Sequence, residues 1–332
     1  MAIPKQESKQ NQSSSNTLQQ RDGLSSSLRI VAAGRGATMS HPRIVETVLS
    51  LVHDQQGFQP EHPVRVVYLG TATYDEPEPM ERQTKGFQKA GCEVIPLRVS
   101  ERVEQQPSPD YIHDTIMSAH VIQVSGGNTL YAVNRWKKLG IDRLLRQRAN
   151  EGAVMCGGSA GSICWFQEGH SQSMNPVMAL HVDPNLTDEQ RRSWEYIRVD
   201  GLGILPGFCV PHHDVEQSNG VPRELDSNKM MMKELPHQTG VGIDENAALV
   251  IEGSMVRVVS VREDSAACVK MCEETDDGEL QVVVYPFQEH HGAVPMLKLV
   301  KNPSQVLDNY YRTSCSSQPS VAQTTSFAPM IC

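Results

Sequence analysis

Aromatic residues are scarce in this sequence, at 5% of its 332 positions, and apolar runs are short. None approaches the roughly 18 residues that a transmembrane helix needs. The opening stretch, MAIPKQESKQNQSSSN, holds no apolar segment of the kind a signal peptide carries, so secretion is not expected. Basic blocks are missing as well. Lys and Arg number 30 against 39 Asp and Glu, a net charge of −9, which disfavours a general nucleic-acid or anionic-membrane binder. The cysteines (Cys92, Cys156, Cys164, Cys209, Cys268, Cys272, Cys315 and Cys332) include no C-x-x-C pair. They read as free, mostly buried thiols in a reducing compartment, not as a disulfide or zinc framework. A cytoplasmic globular protein is expected, with no cofactor, no metal, no nucleic-acid partner and no membrane partner.

What is present is an alternation of two patterns. Apolar runs rich in β-branched residues occur at 28–33, 64–70, 92–99, 120–125 and 153–156, and they are continuous, as suits parallel strands covered on both faces. Helical periodicity separates them at 42–53, 78–90, 109–117 and 128–150. That β-α-β-α order argues for an α/β fold with a doubly wound, mostly parallel sheet. Beyond Asp200 the pattern changes. A helix is expected around 216–235, and strand-like segments at 240–252, 255–261, 267–272 and 280–286 suit an antiparallel C-terminal extension. Residues 1–27 and 313–332 are too polar to offset chain entropy by burial and read as disordered tails, leaving 28–312 as one catalytic-size domain.

Three loops at strand ends could carry chemistry. Gly157-Gly158-Ser159-Ala160-Gly161 is a G-x-S-x-G placed between an apolar run and a helix-compatible segment. There a serine occupies a strained turn that lifts its hydroxyl above the sheet edge, and flanking glycines relieve the crowding. A glycine-rich strand-to-helix turn with an incidental serine is the bland alternative. Ser125-Gly126-Gly127-Asn128-Thr129 lies one βαβ crossover earlier, on the same sheet edge. Gly127 and Asn128 are therefore placed to lend a backbone N–H to an oxyanion that the N–H of Ala160 also binds, and Asn128 suits a helix N-cap. The third loop, Pro211-His212-His213-Asp214, follows an apolar run and supplies a base. It makes a poor metal site, because consecutive side chains diverge and no third ligand is suitably spaced.

The blocks GGNTL at 126–130, MCGGSAGSICWF at 155–166 and GLGILPGFCVPHHD at 201–214 together resemble the peptidase E family of serine peptidases, which includes α-aspartyl dipeptidases and, more distantly, cyanophycinases. The resemblance covers roughly 28–290. It implies a class I glutamine-amidotransferase-like fold, with Ser159 as nucleophile, His212 as base, and Gly127 and Ala160 at the oxyanion hole. The family's acidic triad position aligns with Gln172, an amide that cannot stabilise an imidazolium by charge. Glu168 or Asp183 would then fill the role, or the chain is an impaired, peptide-binding homologue. By resemblance the substrate is a short peptide with an N-terminal aspartate, and a cyanophycin-like β-aspartyl polymer is the neighbouring option. An acidic substrate group calls for a cation near the cleft. Arg35 and, less well placed, Arg82 are candidates, with Asn128 as a further substrate contact. Oligomeric state is left open, a homo-oligomer included.

Two other readings share parts of this pattern. An α/β-hydrolase esterase would place its oxyanion loop further from the elbow and would take His290 as base. A glutamine amidotransferase would need a thiolate at the elbow, whereas Cys156 and Cys164 read as core residues.

Overall fold

The computed structural model describes residues 24–54 and 62–308. The expected tail segments 1–23 and 313–332 lie outside these residues. Residues 24–27, assigned to the first tail on composition, pack. Leu24 lies against the core, and the Ser27 hydroxyl donates to the carbonyl of Asn150.

The strands are β1 (Arg29–Ala33), β2 (Arg65–Leu69), β3 (Glu93–Pro96), β4 (Val121–Val124), β5 (Val154–Gly158), β6 (Phe166–Ser171) and β7 (Ile197–Asp200). They continue as β8 (Leu205–Pro211), β9 (Gly240–Ile243), β10 (Ala247–Glu252), β11 (Met255–Ser260), β12 (Ala267–Glu274), β13 (Leu280–Phe287) and β14 (Val294–Pro295). Two sheets result. The larger has the order β14-β11-β10-β1-β5-β4-β2-β3 and the smaller β13-β12-β9-β8-β6-β7. Strands β1, β5, β4, β2 and β3 are mutually parallel, as their continuous apolar character implied.

Alternate side chains of the parallel strands enter two different cores. Ile30 and Ala32 of β1 join Met155 and Leu249 on one face, whereas Val31 and Ala33 join Cys156 and Val250 on the other. The second face is covered by the helix Pro42–His53, which starts with Pro at its first turn and buries Ile44, Val45, Val48, Leu51 and Val52. The first face is shared by helical residues such as Trp136 and Leu145 and by Cys209, Val241 and Val269 of the smaller sheet.

Four segments differ from the sequence expectation. The helix expected over 128–150 is two helices, Thr129–Leu139 and Ile141–Asn150, because Gly140 takes a left-handed φ of 73° between them. The helix expected over 216–235 is confined to Arg223–Glu234. The helix-compatible segment after the elbow forms only the short helix Ala160–Ile163 before the chain enters β6. The apolar segment 240–252 is two strands in different sheets, with the chain crossing between them at 244–246. Only part of the C-terminal half therefore extends the first sheet, through β10, β11 and β14. The rest builds the second.

Candidate active site

Ser159 follows β5 directly, with φ 58° and ψ −117°, a conformation that costs on the order of 1–3 kcal/mol in an L residue. Several contacts hold it there. The Ser159 N–H donates to the carbonyl of Ala33 at 3.1 Å, and the Ser162 hydroxyl donates to the carbonyls of Gly157 and Ala33. The glycines leave no alternative: a Cβ at Gly158 would sit 2.2 Å from the carbonyl oxygen of Arg35, and one at Gly161 would sit 2.5 Å from that of Val124. Elbow and neighbouring strand ends are thus in backbone contact.

His212 leaves β8 with a φ of 53°. Its Nε2 lies 2.9 Å from Ser159 Oγ, and its Nδ1 lies 2.6 Å from Glu245 Oε1. Glu245 sits in the crossover between β9 and β10. Its backbone is tied on both sides, since its N–H donates to Asp214 Oδ1 at 2.8 Å and its carbonyl accepts the Thr38 hydroxyl at 2.7 Å. Arg35 Nη1 approaches the other carboxylate oxygen of Glu245 at 3.2 Å. The hydrogen bond from His212 holds the Glu245 carboxyl below its usual range, while burial pushes the His212 imidazole below its own. At neutral pH the pair is an ionised carboxylate against a neutral imidazole whose Nε2 accepts from the serine. Such an arrangement can remove a proton from Ser159 and stabilise the imidazolium that forms.

The structure brings Ser159 and His212 together and puts Glu245, which the sequence reading overlooked, at Nδ1. This corrects the expectation for the acid. Gln172 directly follows β6, whose Gly169 pairs with Cys209 of β8, so it stands near the end of the strand that carries His212. Among the described residues no hydrogen bond joins it to the imidazole; its carbonyl accepts the N–H of Asn175. The carboxylate of Glu168 faces Arg198 at 3.7 Å. Asp183 accepts the N–H of Asn185 in a local turn. The physical reason is position: β6 and the chain after it lead past the histidine, while the 244–246 crossover runs beneath its Nδ1.

Other candidates have different partners from those expected. Arg35, read as a substrate clamp, pairs with Glu245. Arg82 pairs with Glu78 on the exposed face of its own helix. Asn128 caps the helix Thr129–Leu139 through Oδ1, and its Nδ2 donates to the Tyr74 hydroxyl and the Met178 carbonyl, both at 3.1 Å. Its side chain therefore ties the helix start to the loop 173–178. Cys156 and Cys164 are fully buried, with their thiols pushed up by that burial. Gly127 has φ 131°, and the N–H groups of Gly127 and Ala160 donate to no described residue.

A second polar cluster lies behind the histidine. Arg223 is 1% exposed, with its guanidinium 5.0 Å over the ring of Tyr196 and one nitrogen donating to the carbonyl of His170. Burial lowers it to about 10, and its charge in turn disfavours the protonated form of His212. Arg223 Nε and Nη1, the Tyr196 hydroxyl and His170 Nδ1 are all buried with no hydrogen-bond partner among the described residues.

Residues 32–259 match the profile of peptidase family S51. The chain belongs to that family. It is accordingly a hydrolase, a peptidase of the serine type, in agreement with the resemblance read from the three sequence blocks. It is 30% identical over 258 residues to the uncharacterized peptidase YgaJ of Bacillus subtilis (strain 168), covering 77% of this chain and 97% of that protein. A protein of Trypanosoma brucei brucei named G2/mitotic-specific cyclin-1 is 30% identical over 230 residues, 62% of this chain and 67% of that one. Among solved structures, a peptidase from an acI-B1 Actinobacterium superposes with a TM-score of 0.51 at 20% identity, covering 78% of this chain and 96% of that chain. The fold of this peptidase is the class I glutamine-amidotransferase-like α/β arrangement. No helix among its described residues is long and apolar enough to cross a membrane.

Proposed function

We propose that the peptidase hydrolyses short peptides with an N-terminal aspartate, using Ser159 as nucleophile. The observation that carries this reading is the single imidazole of His212 bridging Ser159 Oγ at 2.9 Å and Glu245 Oε1 at 2.6 Å. Ser159 attacks the scissile carbonyl while His212 takes its proton, and Glu245 holds the imidazole in the tautomer that presents a bare Nε2. The N–H groups of Gly127 and Ala160 receive the oxyanion. His212 then returns the proton to the leaving amine, and water resolves the acyl-enzyme by the reverse sequence.

Arg223 supports the acidic substrate. A buried guanidinium with two nitrogens lacking acceptors is costly unless a complementary anion completes it. Tyr196 and His170 add polar atoms to the same cluster, so a carboxylate is the group it fits best. The reading as an impaired homologue rested on the amide at the acid position and on the two polar tails, and a carboxylate at His212 Nδ1 weighs against the first of these. We place the enzyme in the cytoplasm, which its free described cysteines support.

The test is hydrolysis of Asp-Leu, Asp-p-nitroanilide and β-Asp-Arg by purified protein, with Ser159→Ala as control. Turnover of the two α-linked substrates that vanishes in Ser159→Ala is expected. Preference for β-Asp-Arg would replace the substrate assignment by the cyanophycinase-like one. Turnover surviving in Ser159→Ala would overturn the mechanism.

A further inference from the structure

The helix Pro77–Lys89 turns three side chains into the protein, and one of them is an amide. Gln83 is 3% exposed and packs alongside Thr84 and Phe87. A glutamine at such a site is unfavourable unless its polar atoms are used. Its Oε1 accepts the N–H of Gly126 at 3.0 Å, and its backbone carbonyl accepts Gln123 Nε2 at 2.7 Å. The amide is confined on its other side too, because a Cβ at Gly36 would lie 3.0 Å from the same Oε1. Gly126 in turn lies against the elbow: a Cβ there would lie 3.1 Å from the carbonyl oxygen of Gly158 and 3.4 Å from Ser159 Cβ. The chain segments just past β1 and β4 therefore meet around one side-chain amide, with Gly126 lying against the elbow after β5.

This arrangement bears on the peptide that joins Gly126 to Gly127. On one side the Gly126 N–H is tied to Gln83; on the other the Asn128 N–H is tied to the carbonyl of Ala72 at 2.7 Å. Between the two tethers Gly127 takes a φ of 131°, a conformation open to glycine and strained for other residues. Without the first tether, rotation about the Gly126 bonds would let the Gly127 N–H leave the direction that its proposed oxyanion role requires. An oxyanion donor acts through its fixed direction, since a donor that must reorient during the reaction loses most of its advantage.

We infer that Gln83 is a positioning residue for acyl transfer: it holds the Gly126 N–H so that the N–H of Gly127 stays directed at the oxyanion formed on Ser159. The inference rests on the serine-hydrolase reading given above. It assigns a task to a helix that carries no reacting group.

The experiment compares Gln83→Met, which keeps the volume and loses the acceptor, with Gln83→Asn, which keeps the amide but is a methylene too short to reach Gly126. Gln83→Glu retains an acceptor and serves as the rescue. Steady-state hydrolysis of Asp-p-nitroanilide and the rate of Ser159 phosphonylation by a fluorophosphonate are both read, because phosphonylation also places an oxygen in the oxyanion hole. Both loss variants are expected to drop in kcat by about 10- to 100-fold, with KM within about twofold, below the full cost of deleting a donor. Phosphonylation should fall in parallel, and Gln83→Glu should recover to within about fivefold of wild type by retaining the acceptor. A folded Gln83→Met or Gln83→Asn with wild-type kcat and phosphonylation would overturn the assignment. So would equal loss in Gln83→Glu, which would mark Gln83 as a packing residue. If Ser159→Ala itself keeps turnover, the underlying reading has failed. If turnover depends on Ser159 and is indifferent to Gln83, only this inference has.

Discussion

Glu245 Oε1 stands 2.6 Å from His212 Nδ1, although the glutamate leaves one sheet and enters the other within three residues. The carboxylate is presented by the chain crossing itself, and that crossing is anchored by Asp214 and Thr38 as well as by the strands on either side. A triad acid on such a support has little freedom to drift.

Replacing that charge is the most direct check. Glu245→Gln keeps the hydrogen-bond geometry and removes the stabilisation of the imidazolium, so kcat on Asp-p-nitroanilide should fall by about 10³- to 10⁴-fold with KM little changed, as for the analogous aspartate in another fold. A loss below about tenfold would place the functional acid elsewhere.

The pH profile should carry the signature of the buried histidine. Burial disfavours the imidazolium of His212, so the acid limb of kcat/KM should have its midpoint below the ordinary histidine value of 6.5. Glu245 opposes that shift by favouring the charged form, and in Glu245→Gln the midpoint should move further toward acid. A rate profile with its midpoint at or above 6.5 would contradict the assignment.

The two arginines near the site should separate cleanly. Arg35 is 57% exposed, and exposed ion pairs contribute roughly 0–1 kcal/mol, so Arg35→Ala should keep activity within about fivefold. Arg223→Met should lower kcat/KM for aspartyl substrates by about 100-fold or more, since the proposed charge-assisted pairing with the substrate carboxylate is lost, while alanyl analogues change much less. Equal losses on both substrates would argue that Arg223 supports the fold instead.

Gly127 and Gly91 offer a paired test of crowding at the proposed oxyanion loop. Both have positive φ, but a Cβ at Gly127 would lie 2.2 Å from the carbonyl oxygen of Ala72, whereas one at Gly91 meets nothing within 4 Å. Gly127→Ala should displace the loop and cost about 100-fold in kcat. Gly91→Ala should cost about 1–2 kcal/mol of stability and leave kcat unchanged. Comparable kcat values in the two variants would remove the loop from the mechanism.

Acid should destabilise the protein through His170, which lies under the site. Burial lowers it to about 4, against 6.5 when unfolded. Between those values the unfolded chain binds a proton that the folded chain does not, so stability is highest above 6.5 and declines as pH falls toward 4. Asp226, held below its usual range by its hydrogen bond to His170, acts in the same direction at lower pH. Thermal midpoints measured from pH 7 to 4 should fall, and His170→Gln should show a shallower slope. An unchanged slope would mean that other groups govern the acid transition.

Sequence alone determined the features whose causes are local in the chain. Continuous β-branched runs defined β1, β2, β4 and β5, Pro42 marked a helix start, and glycines around Ser159 marked a turn that only small residues can form. Ser159 and His212 were legible because each stands just past an apolar strand, where parallel topology gathers loops on one edge. Glu245 was hidden for the opposite reason. Its segment, GVGIDENAALVIE, reads as one strand, and the polar trio Asp244-Glu245-Asn246 that interrupts it was the available sign of a break. Which sheet each half would join, and hence which carboxylate would reach the imidazole, depended on pairing β9 with β8 and β10 with β1. The same holds for Arg223 and Gln83, whose roles come from what packs against them. Periodicity records which side chains are buried; only the tertiary contacts decide what each buried polar atom meets.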